Sequence, residues 1–311
     1  MIESKNITFV VQGAIFKTKS KSTYDVVFSI RKFYPDSKVI LSTWEGQKLE
    51  IKLTTIIDEL VLSKDPGDYT PNTCSPININ RQLVSSINGI KKVKTLYTVK
   101  TRTDLVFVSN NLANIFPNDL DLNKDYLVGE NRVVLADICS KNHRKGIKVP
   151  FWLCDFIYFG LTNDVKKIFD TDPYPEEYFD FYIKNKHPSY FQDKKHTYKY
   201  VPESYITFNY LNRLNVKFEF ENTYHSDVNT LDLYEQSLIN NFIIYPPETL
   251  GIESLKYRFP MIPRNIMFSQ NDWIDVYNKS FGKKLKKSVY FEVNIFVRYW
   301  WIKLISTRDR N

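Results

Sequence analysis

The chain has little of what builds disulfide frameworks or metal cages: three cysteines and four histidines in 311 residues. Cys74, Cys139 and Cys154 show no paired spacing. That excludes a disulfide scaffold and a cysteine zinc site, and fits a reducing compartment. His143, His187, His196 and His225 form no metal-binding motif. No uncharged apolar stretch reaches the ~18 residues that a spanning helix needs. The N-terminus enters a strand-like run almost at once, so no secretory signal is expected. Neither Gly-x-Gly-x-x-Gly nor an NTPase phosphate loop follows the first apolar run, which argues against a dehydrogenase or an NTPase. Internal repeats and low-complexity tracts are also missing.

What is abundant is aromatic: 22 Phe and 21 Tyr. Such side chains supply buried area and sugar-stacking surfaces. The net charge of +8 is uneven. Residues 283–311 hold eight Lys or Arg against Glu292 and Asp309, a net +6. A basic tail of this kind favours an anionic surface. The nearly neutral body argues against nucleic acid as the partner.

The order of elements predicts an α/β fold. Ile7-Thr8-Phe9-Val10-Val11 reads as a doubly buried strand. A helix capped by Ser22 or Thr23 carries Val26, Val27, Ile30 and Phe33 inward. Lys38-Val39-Ile40-Leu41-Ser42 closes a βαβ unit, so a mostly parallel sheet is expected. Glu59-Leu60-Val61-Leu62 is a further strand. Ile79, Leu83, Ile87 and Ile90 mark a helix, and Thr95 to Val99 a strand leading to Asp104. Strands are also expected near Tyr126 to Gly129, at Val133 to Ala136, and from Phe151 to Gly160. Thr162 caps a helix through Phe169, and another opens at Pro202. Residues 171–200 and 240–264 read as irregular connections. Ser288 to Ser306 reads as a helix with Tyr290, Val293, Val297, Trp300 and Leu304 on one face.

The segment Lys100-Thr101-Arg102-Thr103-Asp104 has the chemistry of a site for a metal-bound diphosphate. Ligands collect beyond the carboxyl ends of strands in open α/β sheets. Asp104 offers oxygen to Mg²⁺ or Mn²⁺. Lys100 and Arg102 are placed to neutralise phosphate oxygens. An edge-of-strand charge cluster explains the same residues without a ligand.

Several segments in order resemble the WavE-type lipopolysaccharide synthesis proteins. They are Val10-Val11-Gln12-Gly13, Ile40-Leu41-Ser42-Thr43-Trp44-Glu45-Gly46, Val61-Leu62-Ser63-Lys64-Asp65-Pro66-Gly67, Asn80-Arg81-Gln82, Lys100-Thr101-Arg102-Thr103-Asp104 and Asp155-Phe156-Ile157-Tyr158-Phe159-Gly160. The match is good over residues 5–165 and loose beyond. The resemblance implies a bacterial glycosyltransferase of GT-A-like fold. Such an enzyme takes a nucleotide-sugar donor and builds lipopolysaccharide or capsule on a lipid-linked glycan acceptor. It implies a divalent cation on an Asp-x-Asp motif, where this chain has Arg102-Thr103-Asp104. It further implies that a late residue, here His225, completes the metal shell. The expected organisation is one catalytic domain over 1–282, with a donor half at 1–125 and an acceptor half at 126–282. A basic aromatic segment, 283–311, would bring a cytoplasmic enzyme to the inner face of the membrane. A docked terminal helix explains that segment equally.

Individual residues then take roles. Gly13 lets backbone approach the donor, and Gln12 can bond its base or ribose. Trp44, beside Thr43, can cover the nucleoside. Asn80 and Arg81, at a helix start, suit the anionic diphosphate. Asp155, set among apolar neighbours, is the candidate general base, with Glu203 its rival. Each also fits a structural reading: a turn, a core Trp, a solvated helix face, a turn-capping Asp, a helix-opening Glu and a surface-loop His. A nucleotidyltransferase and a non-catalytic binding module are the competing functions.

Overall fold

The first apolar run becomes an interior strand of a seven-stranded sheet. The computed structural model describes residues 1–69, 77–116, 119–188 and 197–308. Cys74, His196 and residues 309–311 of the basic tail lie outside them. The strands in chain order are β1 (Ile7–Gln12), β2 (Lys38–Trp44), β3 (Glu59–Ser63), β4 (Tyr97–Arg102), β5 (Leu105–Phe107), β6 (Val133–Ala136), β7 (His143–Arg144), β8 (Ile147–Lys148), β9 (Tyr158–Leu161), β10 (Phe242–Tyr245) and β11 (Ile252–Ser254). The helices are α1 (Thr23–Phe33), α2 (Ile51–Thr54), α3 (Ile79–Ile90), α4 (Thr162–Phe169), α5 (Phe181–Lys184), α6 (Pro202–Leu211), α7 (Val228–Asn241), α8 (Pro247–Leu250), α9 (Gln270–Phe281) and α10 (Val289–Arg308).

The central sheet runs β10-β6-β9-β4-β1-β2-β3. Strands β4, β1, β2 and β3 are mutually parallel. Strand β9 is antiparallel to both its neighbours, and β10 is parallel to β6. This is the mostly parallel α/β sheet with flanking helices expected of a GT-A-like fold. Every residue of β1 and β6 is buried, as doubly covered strands require. Two short pairs, β5 with β11 and β7 with β8, stand apart from the sheet. Among the described residues, no helix is long and apolar enough to cross a membrane.

Local chemistry explains the elements that shape the site. The Asp25 carboxylate accepts from the Ser22 backbone N–H at 2.6 Å and fixes the start of α1. Helix α3 lies unusually close to the sheet because Gly89 has no side chain. A Cβ there would stand 2.4 Å from Val10 Cγ1 and 2.9 Å from Ser42 Cβ.

Three sequence expectations need correction. Residues 126–129 form no strand; a single 3-10 turn, Lys124–Tyr126, precedes an irregular segment. The amide of the buried Asn241 holds that segment, accepting from Val128 N–H at 2.8 Å. Of the run 151–160, only its end is strand, as β9. Phe151 has a positive φ of 63°, which breaks extension. Finally, residues 240–264 supply two strands. Phe242-Ile243-Ile244-Tyr245 pairs in register with Val133 to Ala136, so its apolar side chains are core.

Candidate active site

The carboxyl ends of β1, β2 and β4 open into a cleft of about 580 Å³. Parallel pairing places Gln12 beside Ser42 and Arg102, so three loops leave the sheet on one side. Strand β9 runs the other way, with Tyr158 opposite Lys100. Residues just before β9 therefore arrive at the same edge, and Asp155 is delivered to the cleft by this reversal. Gln12, Gly13, Trp44, Arg81, Arg102, Asp104, Asp155 and Glu203 all line it. Thr43, Asn80, Lys100 and His225 do not.

The floor is built by β1 and its turn. Gln12 Oε1 accepts from the buried Ser85 hydroxyl at 2.6 Å, and its amide nitrogen has no partner among the described residues. Gly13 adopts φ +114°, which L side chains rarely tolerate, and donates its N–H to Ser42 O at 3.0 Å. The Thr103 hydroxyl donates to Ala14 O at 2.7 Å, joining the β1 turn to the end of β4. Gln47 Oε1 accepts from Ile15 N–H at 2.9 Å, holding the loop after β2 against that turn.

The charged groups are arranged in pairs. Arg102 Nε and Nη2 donate to the two oxygens of Asp104, each at 2.8 Å. The guanidinium also lies 4.3 Å from the centre of the Phe156 ring. Burial disfavours its charge, but the bonds to Asp104 outweigh that and hold its pKa above the usual arginine value. Its Nη1 has no acceptor among the described residues. Arg81 makes a similar fork to Asp65, at 2.7 Å and 2.7 Å, with Asp68 at 3.3 Å. Lys256, whose loop is tied to the same strand end by Leu255 N–H to Asp104 O at 2.8 Å, lines the cleft without an acidic partner among the described residues.

The carboxylates opposite are Asp155 and Glu203. No donor among the described residues bonds the Asp155 carboxylate. Its backbone carbonyl is held instead by Lys100 Nζ at 2.6 Å. Lys100 is fully buried, and burial lowers its pKa to about 8 against the pull of Asp155. Glu203 sits in the first turn of α6, after Pro202. Burial, then the nearby charge of Asp155, pushes its pKa up to about 7. The thiols of Cys139 and Cys154 lie with the Asp155 carboxylate within 4.8 Å of one another. The hydrogen bond from Cys154, then burial, raises the Cys139 pKa well above the usual thiol value.

The structure does not bring together Asp104 and His225, the ligand pair expected for a divalent cation. Both oxygens of Asp104 are engaged with Arg102. His225 Nε2 lies 2.8 Å from Asp227, which caps α7, and does not line the cleft. Two further expected residues are structural. Asn80 clamps the Tyr174 backbone through Tyr174 N–H at 2.7 Å. Thr43 is fully buried, and its hydroxyl has no partner among the described residues. Sequence reasoning missed Ser85, Gln47 and Lys256. Ser85 falls one helical turn after Arg81, a spacing that could have flagged it; the other two carry no local signal.

A family model described as WavE lipopolysaccharide synthesis matches residues 7–304. No curated protein matches the chain. The chain belongs to the WavE lipopolysaccharide synthesis family.

Proposed function

We propose that this member of a lipopolysaccharide synthesis family is a glycosyltransferase. It moves a sugar from a nucleotide-sugar donor to a lipid-linked glycan acceptor, building lipopolysaccharide or capsule. The observation that carries this reading is the convergence of Arg102, Lys256, Asp155 and Glu203 in one cleft at the carboxyl ends of β1 and β4. Cations and carboxylates in a single cleft suit a reaction with an anionic leaving group and a hydroxyl nucleophile.

The nucleoside lies toward Gln12, Gly13 and Trp44, where an amide and an indole face the cleft. Arg102 Nη1 and Lys256 take the diphosphate oxygens. Asp104 is the carboxylate that orients the Arg102 fork. The acceptor hydroxyl oxygen attacks the anomeric carbon as the bond from that carbon to the diphosphate oxygen breaks. The hydroxyl proton passes to the Asp155–Glu203 pair, and the nucleoside diphosphate leaves with the bonding electrons. In this route the diphosphate charge is met by the chain's own cations. The acceptor places the work at the cytoplasmic face of a membrane.

Paired isosteric variants test this. Asp155→Asn and Glu203→Gln keep size but remove a proton acceptor. Near-normal donor binding with transfer reduced by about two orders of magnitude in at least one variant supports the reading. Full transfer in both variants, singly and together, overturns it. Donor binding without turnover in the wild type would leave a binding module.

A further inference from the structure

Helix α10 presents an apolar face outward. Val293, Phe296, Val297, Trp300, Trp301 and Leu304 are each between 54% and 64% exposed. They recur at spacings of three and four, so they share one face. Polar contacts on the rest of the helix fix this orientation. Arg264 Nη2 donates to Glu292 at 2.8 Å, and Asn271 donates to the same carboxylate at 2.9 Å. Arg298 is paired with Glu248. A helix of a water-exposed protein buries its apolar face, and a contiguous exposed patch marks an interaction site.

We infer that this face of α10 docks on an anionic lipid surface, with the helix lying in the plane of the interface. The charge supports that occupant. Residues 283–311 carry net +6, and Lys284 and Lys286, just before the helix, have no acidic partner among the described residues. Lys283 and Lys287 are engaged with Asp121 and Asp275, so apolar burial contributes more than the formal charge suggests. Adjacent Trp300 and Trp301 suit the headgroup region, where one edge is apolar and the other wet. A second copy of the chain would bring its own positive segment against this one, which disfavours that occupant. The inference stands independently of the transferase reading.

Flotation of the full chain with phosphatidylcholine vesicles, with and without phosphatidylglycerol, tests it. The wild type is expected to float with the anionic vesicles, and to retain part of that binding at high salt. Trp300→Glu with Trp301→Glu should reduce the bound fraction by about tenfold while thermal unfolding stays unchanged. Lys284→Gln with Lys286→Gln, which lies outside the helix, should weaken binding at low salt only. Wild-type protein that stays with the lipid-free fraction overturns the inference. So does flotation unchanged in both double variants, or an outward face covered by a concentration-dependent dimer.

Discussion

Arg102 and Asp104 form a fork, with two hydrogen bonds of 2.8 Å from one guanidinium to both oxygens of one carboxylate. The position expected to hold a metal thus orients a cation of the chain itself. Asp104 then acts through Arg102, and the two should not behave independently. Asp104→Ala and Arg102→Ala should each cut transfer by about two orders of magnitude. The double variant should lose little more than either. EDTA should leave the wild type active. Additive losses, together with rescue of EDTA-treated enzyme by Mn²⁺, would restore the metal to the account.

Glu203 sets the pH dependence. Its folded pKa, about 7, lies above the usual carboxyl value because burial and Asp155 disfavour its charge. Transfer should therefore rise with pH through about 7, as the pair becomes able to accept a proton. The linkage has a definite sign. The folded state binds the extra proton between the ordinary carboxyl pKa and about 7, so this group's stability contribution is lost as pH rises through that window. Glu203→Gln should flatten that decline in urea denaturation measured from pH 5 to pH 8 (about the range of interest). A decline of equal slope in the variant would assign it elsewhere.

Gly89 marks where α3 meets the sheet. An added Cβ would stand 2.4 Å from Val10 Cγ1, below any ordinary contact. Gly89→Ala should lower stability by about 1–3 kcal/mol, the scale of overpacking a tight core. Because α3 carries Arg81 and Ser85, donor binding should weaken with it. An unchanged denaturation midpoint would show that the helix can move away freely.

Much of this was legible in the sequence. Strands β1, β2, β3 and β4 and helix α3 announce themselves because periodicity and apolar runs are local signals. Gln12, Gly13, Trp44 and Arg102 follow because they stand at the ends of those strands. Asp155 was legible as a buried acid, but its delivery to the cleft depends on the reversed direction of β9, which pairing alone decides. Asn80, Lys100 and Thr43 have suitable chemistry at suitable positions, yet their side chains point into packed structure. Nothing local distinguishes the two faces of a strand buried on both sides. The fork of Arg102 onto Asp104 is a rotamer choice that spacing does not specify. Lys256 enters from a loop far along the chain, and β10 was hidden because its four apolar residues sit between helix and proline.

The central claim is that the cleft binds a nucleotide-sugar through the chain's own cations. Calorimetry with nucleoside diphosphates and nucleotide-sugars, on wild type and Arg102→Ala in the presence of EDTA, tests it most directly. The account predicts that one nucleotide-sugar binds the wild type without added metal, and that Arg102→Ala weakens it by at least about tenfold. Binding of none of these ligands by folded wild-type protein, with or without Mn²⁺, would contradict it.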